Sequence, residues 1–444
     1  MIADLLALTD SYGGEDMNRP LKILQVVDLY DPFIGGMELH VKALSRGLTD
    51  RGHKVTIATS HLPGTAIDEV VGGFRIRRIS GWANRALNGL YERAEAPYHP
   101  PLPDPGIIRA LRNIIDDERP DVVHAQGWIS YSCMAIARRH KFQLVVTLHD
   151  YSSTCVRKTL LRNGLTECSG PRLDICLRCA PGQYGKLKGA ALTFGLRTAR
   201  LLHDRVDSWV AVSQSVADAS RCSLPRTSEV TVIPSASPEA PANGQRPKWL
   251  PSGHFLRFVG ALGHHKGLNW LLDAYSGGGL SWPLVIIGAS RHSVPQSWPT
   301  DVTVITNVAH DAVMAAWPHA GIGLVPSLCR EGFGLVAVEA MRSGVPVVAS
   351  RIGALPEIVT DGVTGLLVTP GNTPELLGAI RRMVENPELR RKMGAAGRAQ
   401  SERFSGETVT KKYERHYRRI IEAPRQARTG LSDTYGAERR EAPD

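Results

Sequence analysis

Residues 330–339 read REGFGLVAVE and place two glutamates, Glu331 and Glu339, on either side of a Gly-Phe-Gly turn. The turn precedes a short helical pattern and the apolar run VPVVAS at 345–350. A glycine turn that opens a helix leaves backbone N–H groups and the positive end of the helix dipole facing outward, which favours a bound phosphate. Glu339 would then accept hydrogen bonds from the hydroxyls of a ribose, and Glu331 from those of a sugar beyond the diphosphate. For such a pair in isolation, a capped helix with solvated glutamates is the simpler interpretation.

The surrounding motifs extend this pattern. Between Val302 and Asn372 the chain contains, in order, PS, EGFGL, EAM, GVPVVAS, PE and DGVTGLLV. With GGME at 35–38 and TLHD at 147–150, these motifs resemble the retaining family 4 glycosyltransferases, or glycosyl transferases group 1. The resemblance covers roughly residues 21 to 422. It implies the GT-B fold, an α/β architecture of two Rossmann-like domains whose parallel sheets face an interdomain cleft. It also assigns donor binding to Phe333, Gly334, Leu335 and Glu339.

Length and hydrophobic patterning predict two domains. A chain of 444 residues exceeds what one hydrophobic core usually organises. Apolar strands alternate with helical patterns before and after a Pro- and Ser-rich segment, which is typical of two doubly wound sheets joined by a linker. The predicted division is an N-terminal extension at 1–19, an acceptor-side domain at 20–235 with a cysteine-rich insertion near 151–185, a linker at 236–253, a donor-binding domain at 254–405, a helix at 406–423 that returns to the first domain, and a disordered tail at 424–444.

The loop after the first strand argues against a dinucleotide-binding enzyme. LKILQVV at 21–27 is followed by DLYDPFIGGMELH, which lacks the G-x-G-x-x-G spacing of that fold. In the family that the chain resembles, the paired glycines of GGME lie beside the reacting sugar and the acceptor. The resemblance therefore implies that Gly35 and Gly36 allow close approach of the donor. A tight turn that needs glycine is the alternative.

FVGALGHHKG at 258–267 resembles the family segment that neutralises the leaving diphosphate with a Lys-Gly pair and an earlier arginine. Lys266 and Gly267 match, but Ala261 occupies the position of the arginine. The resemblance therefore assigns the catalytic cation to Lys266 alone, with His264 and His265 as candidates to replace the missing charge.

Two further segments supply candidate polar residues. PDVVHAQGW at 120–128 resembles a strand-end motif in which a histidine contacts the donor sugar, so His124 is a predicted catalytic residue, and Gln126, which replaces a second histidine, is a predicted donor contact. His149 in TLHD matches a family histidine near the reaction centre. For each histidine, a structural hydrogen bond inside the sheet is the competing interpretation.

Four cysteines, Cys155, Cys168, Cys176 and Cys179, lie within one excursion after Asp150. The closing C-x2-C has the spacing of a zinc knuckle, and the two earlier cysteines could complete a tetrahedral thiolate site. The intervals before the knuckle do not match a standard zinc finger, so structural zinc and free thiols both remain open.

The chain has 53 basic and 43 acidic residues, a net charge of +10. Such an excess favours anionic partners, of which a phospholipid surface is one, although solvated helix faces are the simpler explanation. Nucleic acid is not an expected partner because no helix-turn-helix or zinc-finger spacing occurs. The first residues carry Asp4 and no basic start, and no apolar run approaches the roughly 20 residues of a membrane span. These features predict a cytoplasmic protein. Peripheral contact with the inner face of the membrane is the alternative location.

The resemblance implies a retaining transferase that moves a hexose from a nucleoside diphosphate sugar to an unidentified acceptor, which could be a glycan, a lipid-linked molecule or a small molecule. It implies a front-face mechanism with Lys266, Glu331, His124 and His149 near the reacting atoms and no catalytic cofactor. A nucleotide-sugar epimerase or hydrolase is one alternative. A binding protein that has lost catalysis is another, since Ala261 and Gln126 depart from the family pattern.

Overall fold

The computed structural model describes residues 19–82, 99–138, 140–163, 166–238, 245–288, 298–306 and 308–423. The predicted N-terminal extension, apart from its last residue, and the predicted tail from 424 lie outside the described residues. Residues 239–244 of the predicted linker also lie outside them.

An eight-stranded sheet forms the core of the first half of the chain. Its strands are β1 (Lys22–Val27), β2 (Lys54–Ser60), β3 (Asp68–Val71), β4 (Phe74–Ile79), β5 (Val122–Gln126), β6 (Gln143–Leu148), β9 (Ser208–Ala211) and β10 (Val230–Val232), while β7 (Leu161–Arg162) and β8 (Thr166–Glu167) pair separately as a short hairpin. The spatial order is β10-β9-β6-β5-β1-β2-β4-β3, and only the β3–β4 pair is antiparallel. Strands β5 and β6 are buried along their whole length, because helices cover both faces of a parallel sheet.

The helices of this half are α1 (Gly36–Asp50), α2 (Pro105–Glu118), α3 (Ser130–Ala137), α4 (Leu173–Cys179), α5 (Pro181–Tyr184), α6 (Lys186–Ala199) and α7 (Gln214–Ser220). In α1, Val41, Leu44 and Leu48 recur on one face and are fully buried. Helix α2 starts at Pro105 after Asp104, whose carboxylate accepts hydrogen bonds from the N–H groups of the first turn. The first helix therefore brings the GGME segment to the carboxyl end of β1, where ligands bind in open parallel sheets.

A six-stranded parallel sheet forms the second half. Its strands are β11 (Leu256–Val259), β12 (Leu284–Ile287), β13 (Val302–Ile305), β14 (Ile322–Val325), β15 (Val347–Ser350) and β16 (Gly365–Val368), in the order β13-β12-β11-β14-β15-β16. The accompanying helices are α8 (Leu268–Gly277), α9 (His310–Ala316), α10 (Leu335–Arg342), α11 (Leu355–Ile358), α12 (Thr373–Glu385) and α13 (Pro387–Ser401). The prediction of two α/β units with parallel sheets is confirmed.

Helix α14 (Gly406–Glu422) follows the second sheet but packs on the first. Its side chains Val409, Tyr413 and Tyr417 are fully buried in the same apolar cluster as β1 and α1. Glu414 also pairs with Arg51, which follows α1, at 2.6 Å. The last described helix therefore joins the two halves of the chain.

The hydrogen bond from Tyr417 to His124, 2.7 Å long and fully buried, should stabilise this junction. We expect Tyr417→Phe to cost about 1–3 kcal/mol, because it leaves a buried ring nitrogen without its partner. Hydrogen exchange followed by mass spectrometry should show faster exchange in peptides from α14. Arg415→Gln, on the exposed face of the same helix, is the control, and equal exchange in the two variants would contradict the assignment.

Candidate active site

Lys266 and Glu331 form the charged centre of the cleft. Lys266 Nζ lies 2.7 and 2.9 Å from the two carboxylate oxygens of Glu331, and Ser327 Oγ donates to one of these oxygens at 2.5 Å. Burial acts to raise the pKa of Glu331, but Lys266, Ser327 and His265 together hold that pKa below its usual value. Glu331 is therefore an ionised carboxylate whose negative charge is balanced by the ammonium group of Lys266.

The backbone explains why Lys266 reaches this position. Lys266 ends a short 3-10 turn, His264–Lys266, and Gly267 follows with a φ of 73°. A Cβ built on Gly267 would lie 1.7 Å from the carbonyl oxygen of Pro326, so only glycine allows the turn to pack against the segment that carries Ser327. The Lys-Gly motif at 266–267 and the PS-x3-E motif at 326–331 thus pack directly against each other.

Gly334 caps the start of helix α10 and has a φ of 99°. Among the described residues no side chain caps this helix, so N–H groups of its first turn remain for an anion. Phe333 directs its ring elsewhere: it is buried and lies edge-to-face with Phe404 at 5.5 Å between ring centroids. If Phe333 contacts the donor, as the resemblance implies, it does so through its backbone.

Glu339 lies behind the start of α10, in surroundings that sequence reasoning missed. Its carboxylate is 3.3 Å from His310 Nε2 and accepts from Trp317 Nε1 at 3.5 Å. Arg257, fully buried on β11, stacks its guanidinium 4.0 Å from the centroid of the Trp317 ring. Burial lowers the pKa of Arg257 to about 9, and the charge of Glu339 opposes this shift. The sequence offered one signal for this cluster, which was the position of Arg257 within an apolar strand. A charge buried in a strand needs a partner elsewhere in the chain.

His124 does not face the cleft. It is fully buried, and its two ring nitrogens are engaged by Thr147 Oγ1 at 2.6 Å and Tyr417 Oη at 2.7 Å. Burial holds the pKa of His124 well below its ordinary value. With both nitrogens in use inside the core, the structure favours the structural interpretation over the predicted catalytic contact with a donor sugar.

Gln126 and His149 form a second polar chain at the ends of β5 and β6. Gln126 is fully buried, donates to Gln25 at 2.9 Å and lies 2.6 Å from His149 Nε2. In this arrangement Gln126 orients the imidazole of His149, and its predicted contact with the donor stays a prediction. Burial, followed by the charge of His124, lowers the pKa of His149 to about 3. His149 is therefore neutral at physiological pH and cannot deliver a proton by titration there.

The two halves meet around the EGFGL loop. Tyr151 Oη donates to the carbonyl oxygen of Glu331 at 3.2 Å, and Ser213 Oγ donates to that of Gly332 at 2.6 Å. A Cβ on Gly332 would lie 2.3 Å from the carbonyl oxygen of His149, and one on Gly36 would lie 4.0 Å from Leu335 Cδ2. The structure thus brings together Lys266, Gly267, Glu331, Gly334 and Leu335 with His149 and the helix start at Gly35 and Gly36.

A cavity on the first-sheet side of the cleft contains residues that the sequence did not single out. It is lined by His149, Asp150, Trp128 and Lys158, among others. Lys158 comes from the cysteine-rich insertion, and its Nζ lies 4.4 Å from the centroid of the Trp128 ring. The insertion therefore contributes to the wall of this cavity as well as enclosing the cysteines.

The four clustered cysteines are free thiols in this structure. Burial raises the pKa of Cys176, and the nearby Cys155, Cys168 and Cys179 raise it further, which shows that the four lie within electrostatic range. Among the described residues, however, no three His, Cys, Asp or Glu side chains are grouped as metal ligands. The structural zinc site stays a prediction.

The comparisons with known proteins agree with this arrangement. Residues 245–400 match the family model described as Glycosyl transferases group 1, and residues 34–236 match Glycosyltransferase Family 4. The glycogen synthase of Mycobacterium tuberculosis (strain H37Rv) is 27% identical over 406 residues, 85% of this chain and 89% of that protein.

Solved structures show the same fold. Sucrose-phosphate synthase from Thermosynechococcus elongatus has a TM-score of 0.68 at 19% identity, covering 91% of this chain and 100% of that one. Anabaena HepE in complex with UDP-glucose has a TM-score of 0.58 at 18% identity, covering 89% and 99%. Fold and cleft together define a glycosyltransferase of the GT-B class. Within that class, the chain belongs to the glycosyl transferases of group 1.

If the four cysteines hold one zinc ion, purified protein should contain about one equivalent of zinc, and a chelator should expose the insertion to protease before the domains melt. Elemental analysis of the full chain measures the first point. Cys176→Ser with Cys179→Ser should abolish the metal content, whereas Cys222→Ser, at an exposed cysteine outside the cluster, should not. Metal-free protein with an unchanged cleavage pattern after chelation would refute the site.

Proposed function

We propose that the protein transfers a hexose from a nucleoside diphosphate sugar to an acceptor hydroxyl with retention of anomeric configuration. The observation that carries this proposal is the placement of Lys266 and Glu331 beside the uncapped start of α10, with Glu339 buried behind it. A cation and a helix N-terminus suit a diphosphate, and two carboxylates suit the hydroxyls on either side of it. HepE, a protein of the same fold, has been crystallised with UDP-glucose, which supports a nucleotide-sugar donor.

Donor binding would require Lys266 to change partner. Without donor, its ammonium group is bound by both oxygens of Glu331. An arriving diphosphate competes for that ammonium group, and a phosphate next to a carboxylate is unfavourable unless the carboxylate accepts hydrogen bonds from neutral groups. Glu331 would therefore turn to hydroxyls of the transferred sugar, while Ser327 continues to hold it.

The state of the polar residues favours a front-face substitution. Glu331 is bound to Lys266 and Ser327, so it is a poor nucleophile, and neutral His149 is a poor acid. In the proposed step, the bond from the anomeric carbon to the phosphate oxygen breaks and the bond to the acceptor oxygen forms on the same face. The acceptor proton passes to the departing phosphate oxygen. Stabilisation of the developing negative charge by Lys266 and the helix N-terminus would supply most of the catalysis.

The acceptor is proposed to enter the cavity lined by His149, Asp150, Trp128 and Lys158. The loop that carries Glu331 packs beside this cavity, because Gly332 lies against the carbonyl oxygen of His149.

Incubating the protein with UDP-, GDP- and ADP-sugars, with and without candidate acceptors, tests the whole assignment. A glycoside with the donor's anomeric configuration is the expected product. Free sugar formed equally well without acceptor would favour a hydrolase, and tight nucleotide binding without turnover would favour a binding protein, as the missing charge at Ala261 suggests.

Glu339→Gln should weaken nucleotide-sugar binding by about 1–3 kcal/mol, because charge-assisted hydrogen bonds from the ribose hydroxyls are lost. Glu385→Gln, an exposed glutamate on α12, is the matched control and should bind as the unchanged protein does. Titration calorimetry with the nucleotide sugar that the incubation experiment identifies as donor gives the affinities of both variants. Unchanged affinity in folded Glu339→Gln protein would remove Glu339 from the donor site.

Lys266→Ala should reduce turnover at least about a hundredfold, on the order of 3 kcal/mol of transition-state stabilisation, with a smaller effect on donor affinity. The expected effect is large because Ala261 supplies no second charge to the leaving diphosphate. Steady-state kinetics with separate kcat and KM values distinguish the two contributions.

Ala261→Arg provides the complementary variant and should partly restore turnover to Lys266→Ala. Lys392→Ala, at an exposed lysine on α13, controls for loss of a surface charge. Normal turnover in Lys266→Ala would show that another group neutralises the diphosphate, with His264 and His265 the next to replace.

A further inference from the structure

Helix α6 presents large apolar side chains to solvent. Leu187, Phe194 and Leu201 are 90%, 50% and 79% exposed, and they recur every seven residues. Leu201 lies in the 3-10 turn Arg200–Arg205, which directly continues α6. Successive positions seven apart fall on nearly the same side of a helix, so the three side chains form one row about 20 Å long. We call this row the apolar stripe.

The opposite side of α6 is built for close packing. Its buried residues are mostly small and include Gly189, Thr193, Gly195 and Ala199. A Cβ on Gly189 would lie 2.8 Å from the backbone nitrogen of Pro181, so the helix rests directly on the preceding segment. An amphipathic helix on a globular protein usually buries its large apolar residues. In α6, Leu192 and Leu196 pack inward, but Leu187 and Phe194 face outward, which marks a surface for interaction.

Positive charge flanks the apolar stripe. Lys186, Lys188 and Arg197 lie on α6, and no Asp or Glu occurs between Pro181 and His203. The first acid beyond this segment, Asp204, is already bound to Arg138 at 2.5 Å. Leu102, which is 41% exposed, also lies beside α6, since a Cβ on Gly195 would lie 3.2 Å from its Cγ.

We infer that α6 docks the protein on an anionic membrane surface, with the apolar stripe inserted among the lipid chains and the flanking cations on the headgroups. A helix with Leu and Phe on one side and lysines and arginines beside them has the composition of an interfacial helix. In the part of the chain that the structure describes, none of the helices could span a bilayer.

Charge complementarity favours this occupant over a second copy of the chain. Two α6 helices packed face to face would bring Lys186, Lys188 and Arg197 of each copy toward the same cations of the other. A stable protein interface also needs about 800 Å² from each partner, which is more than a row of three side chains offers. Lipid headgroups supply the opposite charge, and lipid chains accept apolar side chains without requiring a matching shape.

Flotation of the full chain with vesicles tests the inference. The protein should float with vesicles of phosphatidylcholine and phosphatidylglycerol in equal amounts, float little with phosphatidylcholine alone, and dissociate as salt is raised. Leu187→Ser, Phe194→Ser and Leu201→Ser in one variant should reduce binding at least about tenfold. The matched control replaces three exposed apolar residues elsewhere, Ile67, Val70 and Val363, by serine and should bind normally.

Two further measurements keep the inference falsifiable if the triple variant folds poorly. Lys186→Glu with Lys188→Glu should lower binding to the anionic vesicles, whereas Arg226→Glu with Lys248→Glu, at two exposed positions elsewhere, should lower it less. In Phe194→Trp protein, brominated lipids should quench the new tryptophan fluorescence beyond the quenching of the unchanged chain.

Absence of flotation, equal binding to neutral vesicles, or no added quenching at position 194 would overturn membrane docking. A dimer in sedimentation velocity that the serine variant dissociates would assign the stripe to a second copy and also overturn it.

Discussion

The ion pair between Lys266 and Glu331 is possible only because the 3-10 turn before α8 lies directly on the loop after β14. Gly267 permits this contact, since any Cβ there would collide with the carbonyl oxygen of Pro326. Moving the turn outward by the width of a methyl group would separate the ammonium group from both carboxylate oxygens, which are 2.7 and 2.9 Å away. The chemistry of the cleft therefore depends on a backbone contact between two loops at the carboxyl ends of neighbouring strands.

Residues that follow strands of the first sheet form hydrogen bonds with the EGFGL loop and with α11, and these bonds fix the second half of the chain against the first. Ser213 and Tyr151 bind the carbonyl groups of the EGFGL loop, and Glu357 accepts from the N–H groups of Gln214 and Ser215 at 2.8 and 2.9 Å. The start of the predicted linker forms hydrogen bonds with both halves of the chain. Ala236 donates to His40 of α1, while Arg342 of α10 donates to the carbonyl oxygen of Ser237. A change in the angle between the sheets would have to break or rearrange several of these hydrogen bonds.

The sequence was sufficient for the fold, and it singled out the loops of the second sheet, because the glycines and charges of those loops have few alternative uses. It was less informative on the first sheet. His124 and Gln126 lie two residues apart on a fully buried strand, where a motif cannot show whether a polar side chain faces substrate or the next element. The partner of His124, Tyr417, is 293 residues away and reaches it only because α14 returns to the first sheet. Arg257 was missed for a related reason, since its partners Trp317 and Glu339 come from separate helical segments.

Charge balance connects these buried residues with the proposed chemistry. Glu331 forms an ion pair with Lys266, while Glu339 acts on Arg257 only through its charge, and a pKa of about 9 keeps Arg257 cationic at neutral pH. Each of the two glutamates therefore has a cation near it, and a bound diphosphate would add negative charge that these cations could not offset without rearranging. Arg257 cannot move to meet it, because it is fully buried under Trp317 and bound to the carbonyl oxygen of Val313 at 2.6 Å. In the proposed reaction, Lys266, which is partly exposed, is the cation that would turn from Glu331 to the bound donor and then to the departing diphosphate. Arg257 would therefore stay in place near Glu339, which leaves Lys266 as the cation that would respond to the proposed reaction.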